Sequence, residues 1–109
     1  MARDEGLEQL LRESLGSKPG VTEKAMFGGR AWLLDGHLLC GARDDGMLVR
    51  LGVDNEGWAL ETRDIVPMIS RGRRMRGWVR AGPGAFGDDA LRVKLLDAAL
   101  AFVRSLPAK

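Results

Sequence analysis

The sequence predicts one α+β domain: an antiparallel sheet covered by helices in two layers, with the element order α-β-β-β-α-β-β-α. Three observations carry this. Helical periodicity is clear only near the two ends of the chain. The middle is a series of short apolar segments separated by Gly- and Asp-containing turns. The 109 residues, 45% hydrophobic and 29% charged, have the size and composition of a single folded domain that buries roughly two thirds of its unfolded surface. No internal repeat, linker or low-complexity tract divides residues 1–109.

From Asp4 to Leu15, the positions Leu7, Leu10, Leu11 and Leu15 fall on one helical face, with Glu8, Gln9, Arg12 and Glu13 on the other. Gly16, Pro19 and Gly20 stop that helix. A strand over Lys24 to Phe27 is interrupted by Gly28-Gly29, a pair that marks a bend, a bulge or a close backbone approach. Arg30 to Leu34 resumes it. Asp35-Gly36 is a two-residue hairpin signal, because both positions tolerate positive φ, and His37 to Ala42 returns antiparallel. Asp44-Asp45-Gly46 turns the chain again into a strand over Met47 to Leu51.

Beyond it, Asp54 is placed to cap a short helix through Asn55 to Thr62, weakened by Gly57. Val66-Pro67-Met68 reads as extended, since the residue before proline is pushed out of the helical region. Arg76 to Ala81 reads as a strand, and Gly82, Pro83, Gly84 and Gly87 as a loop. Asp88 and Asp89 then suit a helix start, followed by a broad apolar stripe of Leu91, Leu95, Leu96, Ala99, Leu100, Phe102, Val103 and Leu106, with Pro107 as the stop.

Composition narrows the chemistry. No apolar run approaches the ~18 residues of a membrane span, and the N-terminus is too acidic for a secretory signal, so a cytoplasmic protein is expected. One cysteine, Cys40, and one histidine, His37, exclude an internal disulfide and a Cys/His zinc set. Three positions apart on a strand, these two should face opposite sides. His37 reads as a solvated residue beside a turn and Cys40 as a buried core thiol. Neither sits in a triad pattern. Gly28-Gly29 lacks the strand-loop-helix context and the Lys-Ser/Thr of a phosphate loop, and Asp44-Asp45 serves turn chemistry. No catalytic residue, metal ligand or cofactor is expected.

The formal charge of +2 conceals an asymmetry. Between Ile65 and Gly87 there are five arginines (Arg71, Arg73, Arg74, Arg76 and Arg80) and no acid, whereas the rest has 12 basic residues against 15 acidic ones. With Trp78 among them, these arginines could contact phosphates while the ring stacks on a base. The alternative is a solvated edge whose arginines pair with the acidic remainder.

The segments Ala25-Met26-Phe27-Gly28-Gly29, Leu34-Asp35-Gly36, Met47 to Leu51, Gly72 to Val79 and the closing Ser105-Leu106-Pro107 together resemble the TfoX N-terminal domain family over nearly the whole chain. In that resemblance Met26, Phe27, Gly28, Gly29, Asp35, Gly36, Gly77 and Trp78 are the structural motif positions. It implies a two-layer fold related to the type III secretion chaperones, with an expectation of homodimerisation. The family's name-giving proteins regulate competence and carry a second domain, for which these 109 residues are expected to have no room. The functional expectation is a small non-enzymatic binding module acting through a protein partner or a second copy of itself. Its basis is the lack of any acid-base or metal constellation, together with more large apolar residues (Trp32, Trp58, Trp78, Met68 and Met75) than two thin layers are expected to bury. The alternative is an accessory nucleic-acid binder using the arginine cluster.

Overall fold

The computed structural model describes residues 4–26 and 28–107. Asp4 accepts a hydrogen bond from the Leu7 backbone N–H at 2.9 Å and so caps helix α1, Glu5–Leu15, whose Leu7, Leu11 and Leu15 are buried as their spacing requires. Six strands follow: β1 Val21–Met26, β2 Gly29–Leu34, β3 His37–Arg43, β4 Gly46–Arg50, β5 Ile65–Ser70 and β6 Arg73–Ala81. A 3₁₀ turn, Val53–Asn55, and helix α2, Glu56–Leu60, connect β4 to β5. Helices α3, Pro83–Phe86, and α4, Asp89–Arg104, close the described chain.

All neighbouring strands are antiparallel, in the spatial order β1-β2-β3-β4-β6-β5. The chain therefore meanders through four strands, leaves the sheet for the α2 connection, builds the far edge as β5, and returns as β6 into the gap beside β4. Helices α4 and α1 pack on β2 to β4 and α2 on β5 and β6, so one face of the sheet is covered. The core lies there, with Trp32, Leu39, Met47, Val49 and Val79 from the sheet packed against Leu95, Ala99 and Val103 of α4. One cross-strand row on the opposite face runs Lys24, Ala31, Gly41, Leu48, Arg80 and Val66.

The α+β class and the helix-covered antiparallel sheet agree with the sequence prediction, and the structure refines individual elements. The interruption at Gly28-Gly29 is a full reversal: Gly28 has φ +76°, and Met26 pairs with Gly29. Two strands therefore stand where one bent strand was expected. Asp54 does not cap α2. Asn55 occupies that position without a capping hydrogen bond; its side chain instead donates to the Leu51 carbonyl at 3.0 Å and accepts from Trp58 Nε1 at 2.9 Å. The glycine-rich loop contains α3, because Pro83 is preset for a first helical turn. Asp88 does cap α4, accepting from the Leu91 N–H at 3.1 Å.

His37 and Cys40 require a correction. The pairing jumps from Trp32↔Cys40 to Leu33↔Leu38, so Leu39 is an extra residue in β3. That bulge shifts the alternation by one and turns both side chains to the helix-covered face. They still do different things. Cys40 is fully buried, and His37 sits at the rim with Nε2 2.5 Å from the Pro107 carbonyl oxygen.

Candidate functional site

The arginine-rich segment is a hairpin. Arg71 (φ +53°) and Gly72 (φ +76°) form its two-residue turn between Ser70 and Arg73. Positive φ at both central residues matches the right-handed twist of the flanking strands. Strand β6 thus begins three residues before the predicted Arg76, and β5, which pairs only with β6, is an edge of the sheet.

The hairpin is irregular at its middle. Pairing passes from Pro67↔Val79 to Ile69↔Arg74, so Met68 alone stands opposite the four residues 75–78. The bulge is anchored by Glu56 of α2. Its buried carboxylate accepts the Gly77 N–H at 2.5 Å through Oε2, while Oε1 lies 3.4 Å from Arg74. In turn the Gly77 carbonyl accepts the N–H groups of both Leu51 (2.8 Å) and Gly52 (3.0 Å) where β4 ends. Gly77 has φ +86°, and a Cβ there would meet the Gly52 Cα at 3.3 Å, so the two backbones approach in a way that a larger residue obstructs.

This junction forms the floor of a cleft of about 620 Å³ between the end of β4, the β6 bulge and the C-terminal half of α4. Trp78 and Phe102 supply aromatic walls, Ala98 and Ala101 keep the helix side shallow, and Arg50 and Arg76 bring positive charge. The Arg50 guanidinium lies 6.0 Å from the Trp78 ring centre and 5.6 Å from that of Phe102, distances at which a cation is attracted to the ring faces. Nothing in the sequence placed Arg50 or Phe102 in a site. They belong to segments 52 residues apart that only the packing of α4 on β4 brings together.

The five arginines do not act as one cluster. Arg74 is held by Glu56 and Arg80 by Asp45 at 3.3 Å, an aspartate that also pairs with Arg43 at 3.2 Å. Arg71, Arg73 and Arg76 are exposed and make no ion pair among the described residues. Trp78 is half-buried, with Arg50 beside its ring, and it lines the cleft beside α4 instead of standing free among the hairpin arginines. Of the large apolar residues expected to exceed the core, Trp32 and Met68 are buried and Met75 is exposed. Val66 and Ile69 are exposed on the same hairpin, and Val53 and Val93 elsewhere.

Away from the hairpin, Arg12 Nη2 and Arg30 Nε both lie 2.8 Å from Glu23 Oε2. The Arg12 hydrogen bond, helped by Arg30 and opposed by burial, lowers the Glu23 pKa to about 2. Burial pushes the Cys40 thiol well above its ordinary range. Among the described residues, no group of three or more His, Cys, Asp or Glu side chains could hold a metal ion, and no helix is long and apolar enough to cross a membrane.

A model of the TfoX N-terminal domain matches residues 11–103, nearly the whole chain. The chain belongs to the TfoX N-terminal domain family. Comparison with curated proteins and with solved structures returned no match. Membership points to a regulatory-type module related to competence, in a family not known for enzymes. Of the positions through which the sequence resembles TfoX N-terminal domains, Met26, Gly28 and Gly29 form the β1–β2 reversal, and Asp35 and Gly36 the β2–β3 turn. Gly77 and Trp78 border the cleft, and Phe27 lies outside the described residues.

Proposed function

We propose that this TfoX N-terminal domain is a non-enzymatic binding module, cytoplasmic in setting, whose β5–β6 hairpin docks on a protein partner with an acidic and apolar surface. One observation carries the reading. The hairpin lies at a sheet edge and exposes Val66, Ile69 and Met75 together with three arginines that have no carboxylate partner among the described residues. Apolar contact supplies affinity, and the uncompensated guanidiniums supply steering and selectivity. A second copy of the chain is a candidate partner, because residues outside 65–87 are net acidic.

The test compares the native chain with a triple variant, Ile69→Asp, Arg71→Glu and Arg73→Glu, by light scattering at micromolar concentration and by affinity capture. Self-association or partner capture lost in the variant supports the reading. A strict monomer that captures nothing sinks it.

Nucleic-acid binding is the second reading, and the same three exposed arginines favour it. With Arg74 and Arg80 occupied by carboxylates, it rests on three phosphate contacts, not five.

A further inference from the structure

Arg50 is distinguished by what it lacks. Every other half-buried or buried arginine among the described residues has a carboxylate: Arg12 and Arg30 share Glu23, Arg43 and Arg80 share Asp45, and Arg92 has Asp89. Arg50 has none. Its one side-chain hydrogen bond among the described residues is a long 3.5 Å contact from Nη1 to the Leu38 carbonyl oxygen. A guanidinium carries five N–H donors in a planar fork, so most of those on Arg50 have no protein acceptor among the described residues. The rings of Trp78 and Phe102 nevertheless hold this group at the wall of the cleft, which reduces the rotamer freedom it would lose on meeting an anion.

The surroundings define what would complete the site. A volume of about 620 Å³ is within the range of small-molecule clefts. The aromatic walls offer a surface to a flat apolar body, and Ala98 and Ala101 leave room for it on the helix side. Arg76 adds a second guanidinium at the rim, and Asp54 is the one carboxylate lining the cleft. Two cations against one anion leave a single net positive charge, which suits a ligand with one anionic group.

We infer that the cleft binds a small planar molecule bearing a carboxylate or phosphate, with the anionic group on Arg50 and the ring against Trp78 and Phe102. The site shares Arg76 with the partner-docking surface of the hairpin, and its other groups, Arg50, Trp78 and Phe102, are ones that surface does not use.

The test uses 8-anilinonaphthalene-1-sulfonate, an aromatic anion whose emission rises on entering an apolar site. Titrated into the native chain, it should bind saturably at one site per chain. Indole-3-acetate, a planar carboxylate, or adenosine 5′-monophosphate, a planar phosphate, should displace it; the one that does so identifies the head group. Tryptamine, which has an indole ring but a cationic tail, should not. Arg50→Met should weaken binding at least tenfold. Ala101→Trp, at an exposed helical position, should abolish it by filling the cleft, with circular dichroism showing the fold retained in both variants. Absence of saturable binding, displacement by tryptamine as effective as by the anions, displacement by neither anion, or native affinity in either folded variant would each overturn the assignment.

Discussion

Glu23 shows how one residue can set the acid limit of the fold. Its carboxylate joins α1 to β2 through Arg12 and Arg30, and its pKa falls from 4.5 to about 2. A carboxylate whose folded-state pKa is depressed contributes stability that is fully present above the unfolded value and is lost as pH falls through the folded one. The window for this loss is therefore pH 4.5 down to about 2. Glu23→Gln should cost about 1 kcal/mol at neutral pH, a modest figure because Arg12 is substantially exposed. It should also flatten stability against pH across that window, as measured by urea unfolding at a series of pH values. Cys40 makes a second residue-scale prediction. Fully buried, with its thiolate disfavoured, it should be inert to a disulfide reagent in the native state and react once per chain after unfolding, read as thionitrobenzoate release. Gly77→Ala should destabilise by about 1–3 kcal/mol in the same urea assay, since the new Cβ must accept φ +86° and a tight approach to Gly52.

At the scale of the element, the β5–β6 hairpin combines features that local preference alone would not choose. Arg71 occupies a positive-φ turn position that asparagine fills more readily. Arg71→Asn should therefore raise stability by roughly 0.5 kcal/mol, seen as a few degrees in Tm, while weakening partner binding. That opposition would mark Arg71 as retained for its charge. The four-residue bulge behind the turn is equally costly, and it exists because Glu56 from α2 and the double hydrogen bond to the Gly77 carbonyl hold it. The single-residue bulge at Leu39 is the counterpart in β3. There a core leucine is gained, and His37 is turned to meet the Pro107 carbonyl.

For the molecule as a whole, the distribution of charge matters more than its sum of +2. If nucleic acid binds through the hairpin, the three unpaired arginines predict a log-log salt slope of about −2 to −3, using ~0.7 to 0.9 counterions per contact. All five would give about −4. Filter binding or fluorescence anisotropy over a range of salt concentrations distinguishes the two, and a flat profile removes this reading. Protein docking steered by the same arginines should show its salt dependence mainly in the association rate.

What the sequence determined by itself was whatever short-range chemistry decides. Leucine spacing fixed α1 and α4, Asp88 fixed the start of α4, Asp35-Gly36 fixed the β2–β3 turn, and together these imply the α+β class. The motif segments also pointed to the family. The tertiary structure alone decided how the arginines divide, because Glu56 and Asp45 reach them from 18 and 35 residues away. It alone decided the bulges, since an extra residue is tolerated only where a partner strand or helix accepts the displaced groups. It alone made the cleft, where Arg50, Trp78 and Phe102 meet from three elements. A sequence pattern records what a residue prefers locally. Which charge is neutralised and which is left facing a cavity depends on distances through space.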